Sequence, residues 1–69
     1  MNDIEIYNRR TEDVVRYTFN NDLTFAVGEE LHYTDSKGNK VYAYIRKVIK
    51  ELIVSDNNID AVKLKIEVF

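Results

Sequence analysis

Strict alternation of apolar and charged residues late in the chain is the feature that most constrains the fold. Every second residue from 62 to 68 is apolar and every residue between is charged, in the order Val62, Lys63, Leu64, Lys65, Ile66, Glu67 and Val68. A period of two places all the apolar side chains on one side of an extended chain. The pattern therefore predicts a strand over residues 61–69 that buries one face.

The composition favours the same structure throughout the chain. Val, Ile, Thr, Tyr and Phe make up 27 of the 69 residues, against four Leu and three Ala. β-branched and aromatic side chains suit a pleated sheet, whereas Leu and Ala favour helices. We predict an all-β fold of five to six antiparallel strands.

Shorter alternating runs and turn-forming residues divide the rest of the chain. Strands are expected at 3–7, 14–19 and 30–34, and Leu23, Phe25 and Val27 share a phase in a further run that Gly28 ends. Polar turns are expected at 8–13, 20–22, 35–39 and 55–58. Gly38 supplies the positive φ that a hairpin loop at 35–39 requires.

Residues 40–54 allow two interpretations. As a strand, the segment buries Val41, Ala43 and Ile45, and a bulge near Arg46-Lys47 must then reset the phase for Val48. As a helix over 41–54, the segment shows one apolar stripe with charged residues opposite. The lack of an N-cap residue and the many β-branched side chains favour the long bent strand.

A chain of 69 residues is expected to form one small domain over 1–69 with a thin core. The phases assigned to the strands predict which side chains are buried. They are Ile6, Val15, Tyr17, Phe25, Leu31, Ile45, Val48, Leu64 and Ile66.

The segment from Phe25 to Tyr33, with the Gly-containing hairpin and the long strand that follow it, resembles the opening of SH3-like small β-barrels. In such domains a "V-G-acidic-x-apolar" step, here Val27 to Leu31, starts a strand, and the next strand is long and bent. The resemblance covers about residues 23–69 and implies a fold only, since SH3-like barrels carry many functions. The aromatic stretch and paired Trp of signalling SH3 domains are missing, so proline-rich peptide binding is not implied.

Several function classes have little support in the sequence. The chain has no Cys and a single His, which leaves no thiolate or His-based metal site. The sequence contains no nucleophile-elbow motif that could place a catalytic serine beside His32. Gly28 and Gly38 form no phosphate-binding motif. We therefore expect no enzymatic activity, cofactor or metal. No apolar run is long enough for a membrane span or a leader, so we expect a cytoplasmic protein that does not enter membranes.

Charge is unevenly distributed along the chain. Residues 1–35 hold eight acidic and three basic side chains, whereas residues 36–69 hold four and seven. Basic side chains interleaved with aromatic rings are typical of single-stranded nucleic-acid binders, because cations contact phosphates and rings stack on bases. The residues in this pattern are Lys40, Tyr42, Tyr44, Arg46, Lys47 and Lys50. The net charge of -2 argues against this function, which we keep as the alternative.

Tyrosine and an open sheet edge point to protein partners instead. A tyrosine ring buries area in an interface while its hydroxyl stays hydrogen-bonded, and we expect Tyr7, Tyr42 and Tyr44 at the surface. The strand at 61–69 is expected to leave an edge open to another chain. The sequence thus favours a protein partner or a homo-oligomer. By analogy with other small β modules, we expect the chain to be a phage or mobile-element accessory protein.

Overall fold

The computed structural model describes residues 2–69 and contains five strands. They are β1 (Asn2–Asn8), β2 (Asp13–Phe19), β3 (Glu30–Thr34), β4 (Lys40–Ser55) and β5 (Asn58–Val68). No helix occurs in this range, so the all-β prediction is confirmed and the alternative of a helix at 41–54 is wrong. Within residues 2–69 there is accordingly no helix of the length and apolarity needed to cross a bilayer.

The five strands form one curled half-barrel sheet in the order β2-β1-β5-β4-β3. β1 and β2 form an antiparallel hairpin, and β3, β4 and β5 form an antiparallel meander. β1 and β5 join the two parts in parallel, with Ile4 beside Leu64 and Ile6 beside Ile66. Antiparallel pairing was expected throughout and holds for three of the four strand pairs.

The parallel pairing also corrects the expected open edge. The strand at 61–69 was expected to leave one edge unpaired, but β5 lies in the middle of the sheet between β1 and β4. The prediction was wrong because period-two patterning fixes the buried side of a strand and not its neighbours. The unpaired backbone edges belong to other strands.

A bulge in β4 keeps the apolar side chains of this long strand on the inner side of the sheet. The register against β5 shifts between Ile45 and Lys47, so that Ile45 faces Val68 and Val48 faces Ile66. Because of the extra residue in the bulge, Lys47 lies on the outer side of the sheet and Val48 lies on the inner side. The strand-with-bulge interpretation of residues 40–54 is thereby confirmed.

The core lies on the concave side of the sheet, and most of the predicted core residues point into it. Its buried apolar side chains are Ile4, Ile6, Val15, Ala43, Ile45, Leu64, Ile66 and Val68. Phe25, Leu31 and Val48 were expected to be buried and are half-buried. Tyr17 points inward from the edge strand β2 but remains 42% exposed, so its predicted burial was wrong.

Residues 20–29 connect β2 to β3 without forming a strand, although the apolar spacing in this run resembled one. Phe25 packs against the core, whereas Val27 is 68% exposed. The backbone is held at its end, where the N–H of Gly28 donates to the Ile45 carbonyl at 2.8 Å. Gly28 has a φ of 92°, which few other residues adopt.

Asn8 is a buried polar residue that links the β1–β2 turn to the far side of the sheet. Its Oδ1 accepts hydrogen bonds from the N–H groups of Arg10 (2.9 Å) and Thr11 (3.2 Å). Its Nδ2 donates to the Tyr33 hydroxyl on β3 at 3.1 Å. The amide thus uses both polar atoms, as burial requires.

Side chains also bridge the two edge strands of the sheet, β2 and β3. The Tyr17 hydroxyl donates to the Thr34 carbonyl at 2.5 Å. On the β3–β4 turn, the hydroxyl and the N–H of Ser36 both donate to the Asp13 carboxylate. These two hydrogen bonds favour the charged form and hold the pKa of Asp13 below its usual range. The half-barrel is therefore closed at this end by side chains rather than by a strand ladder.

Leu64→Ala should lower the free energy of unfolding by about 2–5 kcal/mol, because it opens a cavity in the core. Leu64 is 2% exposed, whereas Ile59 on the same strand is 62% exposed. The control variant Ile59→Ala should cost less than about 0.5 kcal/mol. Urea denaturation followed by circular dichroism measures both, and equal losses would contradict the assigned inner face of β5.

Tyr33 should make stability sensitive to alkaline pH. Partial burial raises the pKa of its hydroxyl above the usual value near 10, and the hydrogen bond from Asn8 offsets part of this. Because folding favours the neutral hydroxyl, its stabilisation is complete below about pH 10 and is lost as the pH rises through the folded-state pKa. An ultraviolet titration should show a late-ionising tyrosine that disappears in Tyr33→Phe and persists in Tyr44→Phe.

Candidate functional site

The hairpin of β4 and β5 extends beyond the rest of the sheet as an arm, here defined as residues 51–61. β1 pairs with β5 only from Lys63 onward, and β3 pairs with β4 only as far as Tyr44. Strand pairing continues to Ser55 opposite Asn58, and Asp56 and Asn57 close the turn with φ values of 49° and 65°. Two positive φ values match the right-handed twist of a tight hairpin.

Apolar side chains lie exposed on both faces of the arm. Leu52 (50% exposed), Val54 (56%) and Ile59 (62%) continue the inner face beyond the core. Ile53 (46%) lies on the outer face opposite Ala61. A two-stranded ribbon with no third layer cannot bury these side chains by itself.

The β4 backbone is unpaired along one side of this same region. The last hydrogen bonds on that side join Ile45 to Gly28 and Glu29, at 2.8 Å each. From Arg46 to Ser55 the described residues place no further strand or loop hydrogen bond there. We call this segment the free β4 edge. Such an edge presents a row of backbone donors and acceptors to another chain.

Two tyrosines form a second exposed surface, on the outer side of β3 and β4. Tyr42 is 66% exposed and Tyr44 is 52% exposed. The His32 ring packs edge-on against Tyr42, with centroids 4.5 Å apart and an interplanar angle of 81°. The His32 Nε2 lies 2.7 Å from Oε1 of Glu30. We call Tyr42, Tyr44 and His32 the tyrosine face.

The residues predicted for the site are only partly brought together. Lys40, Tyr42, Tyr44 and Arg46 lie on the outer side of β4, and the bulge brings Lys47 out as well. Tyr7 is half-buried two strands away on β1, in a shallow groove with Lys47 and Glu67. Lys50 lies on the opposite, inner side, in a groove of about 250 Å³ with Leu23 and Asp22. The assignment of these residues to a binding site remains a prediction.

Strand pairing neutralises the charge imbalance seen along the chain. On the outer face Asp3 pairs with Lys63, Glu5 with Lys65, and Lys47 with Glu67. Acidic residues from the first half thus lie beside basic residues from the second. Each half also contains an ion pair of its own: Arg16 Nη2 lies 2.9 Å from Glu5 Oε1, and Arg46 Nε lies 3.5 Å from Glu67 Oε2. Among residues 2–69, the outer face carries alternating charges and no continuous basic track.

No group of three or more His, Asp or Glu side chains that could hold a metal ion occurs in residues 2–69. His32 contacts Glu30 and Tyr42 on an open surface, and Ser36 hydrogen-bonds Asp13 at the β3–β4 turn. These two side chains therefore serve contacts in different parts of the sheet.

The arm was missed as an interaction surface by the sequence interpretation. The signal was present, because three consecutive apolar residues, Leu52 to Val54, precede the turn at 55–58 and Ile59 follows it. Consecutive apolar residues in a strand point to both faces, and a single small sheet has only one core face. Such a run next to a tight turn indicates a hairpin that needs another surface to cover it.

In comparisons with known proteins, no family model, curated protein or solved structure matches this chain. Its function must be inferred from the arm, the free β4 edge and the tyrosine face.

Replacing either tyrosine of the tyrosine face by alanine should leave the fold intact. Tyr44→Ala should change the free energy of unfolding by less than about 0.5 kcal/mol, because the ring is exposed. Tyr42→Ala should cost up to about 1.5 kcal/mol, through the lost packing against His32. Thermal unfolding measures both variants. A loss above about 3 kcal/mol for either would place that ring in the core and contradict a surface role.

Proposed function

We propose that this chain is a small non-enzymatic binding module that acts through protein–protein contacts. The observation that carries the proposal is the arm, whose side chains Leu52, Ile53, Val54 and Ile59 are 46–62% exposed on two faces. Single exposed apolar residues are common, but a contiguous set on a projecting element marks an interaction surface.

The free β4 edge and the tyrosine face support the same function. A strand of a partner can add to an unpaired edge, where backbone hydrogen bonds give affinity and alternate side chains give specificity. Tyr42 and Tyr44 offer rings that bury area at low entropic cost beside that edge. Edge and rings lie on the same strand, so one partner can use both.

Nucleic-acid binding by residues 37–50 is the alternative, and the charge arrangement gives it little support. Lys47 and Arg46 lie beside Glu67, and Lys50 lies on the other side of the sheet. A single-stranded nucleic acid needs a continuous cationic groove with stacking rings. Only Lys40, Tyr42 and Tyr44 form an uninterrupted part of such a track.

We also propose that the fold of this chain is related to SH3-like small β-barrels. The curled sheet and the long strand β4 with its bulge support it. The parallel pairing of β1 with β5 departs from an all-antiparallel barrel. A cytoplasmic location and a phage or mobile-element accessory role remain predictions from the sequence and from analogy.

A titration with labelled single-stranded DNA and RNA at about 0.15 M salt separates the two functions. We expect no binding tighter than about 1 μM, because few phosphates can be neutralised by the unpaired cations. Lys40→Glu and Tyr42→Ala serve as matched variants. Sub-micromolar binding that both variants abolish would replace the proposed function by the alternative.

Site-specific photo-crosslinking tests the protein contact directly. A photoreactive residue at Ile53, in the arm, should give a discrete protein adduct in extract of the producing cells. The same residue at Thr18, on the outer face of β2, is the control and should give none. Equal crosslinking from both positions, or an adduct with nucleic acid only, would contradict the proposal.

A further inference from the structure

We propose that two copies of this chain pair antiparallel along the free β4 edge, with Ile49 of one copy opposite Ile49 of the other. The inference names the partner of the proposed protein-binding surface and so rests on that function. It follows from three features: the length of the edge, its charge sequence and the apolar side chains of the arm, which overlaps the edge at residues 51–55.

The edge is long, and among residues 2–69 neither proline nor a bonded loop interrupts it after Ile45. It runs from Arg46 to Ser55 and contains neither Pro nor Gly. Proteins protect such edges with proline, a short strand, a bulge, charged side chains or a covering loop. Of these, the edge has the bulge at its start and the charged side chains Lys47, Lys50 and Glu51. Here the covering residues stop at Gly28 and Glu29, which bond to Ile45. The segment after Ile45 is therefore open to a strand of similar length.

The charges on the edge select a second copy in one register. In a twofold antiparallel pair, residues equally far from the axis lie opposite each other and share a face. An axis at Lys50 or Glu51 would place that charge against its own copy. An axis at Ile49 places Lys47 opposite Glu51 twice. No other axis from Val48 to Leu52 pairs opposite charges.

The same register continues the alternation of charge already present in the sheet. Within one copy, Lys47 pairs with Glu67, and Glu51 pairs with Lys63. Across the proposed interface the outer face would then carry a row of four alternating charges, in the order Glu67, Lys47, then Glu51 and Lys63 of the second copy. Opposite charges directly across strands stabilise a sheet, whereas like charges destabilise it. Ile49, 41% exposed in a single copy, would be covered by its own counterpart.

The register also covers exposed apolar side chains at both ends. The bulge between Ile45 and Lys47 interrupts the one-to-one count, so Ile53 of one copy would lie at the end of the other copy's free edge, where Gly28 and Glu29 bond to Ile45. Val27 lies there, next to Gly28, whose N–H bonds to the Ile45 carbonyl, and Val27 is 68% exposed. The arm of each copy would therefore pack against the loop at 26–29 of the other. This packing gives the apolar arm a partner that the single copy does not supply.

Charge reversal at the edge provides a test that is specific for the register. Wild-type protein should self-associate in sedimentation velocity between about 1 and about 200 μM. Lys47→Glu and Glu51→Lys should each weaken self-association at least about tenfold, because each puts two like-charge pairs across the interface. An equimolar mixture of the two variants should form a heterodimer, because both contacts are then between opposite charges. Lys40→Glu, the same change outside the free edge, should leave self-association unchanged.

Ile49→Lys is a second, independent variant, since Ile49 is exposed in a single copy and its replacement should not unfold the chain. It should abolish self-association without changing the circular dichroism spectrum. A wild-type chain that stays monomeric, or two charge variants that fail to associate when mixed, would overturn the proposed pairing. Neither result would contradict a contact with another protein, which the Ile53 crosslink reports as an adduct of different mass from two copies of the chain.

Discussion

The parallel pairing of β1 with β5 is the contact on which the rest of the structure depends. It joins a hairpin at residues 2–19 to a meander at residues 30–68, and it places Ile4 and Ile6 beside Leu64 and Ile66 in the core. The paired strands lie about sixty positions apart in the chain, as the bond from Val62 N–H to Asn2 Oδ1 illustrates. Closing so long a loop costs conformational entropy, which the buried side chains must offset.

The sheet around that pair is curled, and side chains bridge its two sides at one end. Asn8, Tyr17 and Asp13 bridge that end through hydrogen bonds to Tyr33, Thr34 and Ser36. At the other end β4 and β5 extend past their neighbours and carry apolar side chains into solvent. Side-chain hydrogen bonds thus close the half-barrel at one end. At the other end, where a partner is proposed to bind, the exposed side chains are apolar and the β4 backbone edge is unpaired.

The charges of the chain are organised by pairing between strands rather than by position in the sequence. The acidic first half and the basic second half suggested opposite surfaces, one of which could contact nucleic acid. Strand order instead interleaves them, with Asp3 beside Lys63 and Glu5 beside Lys65. This interleaving weakens a nucleic-acid function and favours contacts in which edge shape and charge register select the partner.

The sequence by itself predicted most strands and turns and favoured a bulged strand over a helix at 40–54, because these features depend on local alternation and turn-forming residues. Val62 to Val68, Gly38 and the shift from Ile45 to Val48 were all predictable in this way. The alternating run from Leu23 to Val27 is the exception, since it forms no strand. Tertiary structure alone decided which strands are neighbours, and therefore that β5 is central and that acidic residues of β1 lie beside basic residues of β5. Alternation fixes the buried side of each strand, whereas neighbours are chosen by long-range packing that no local pattern records.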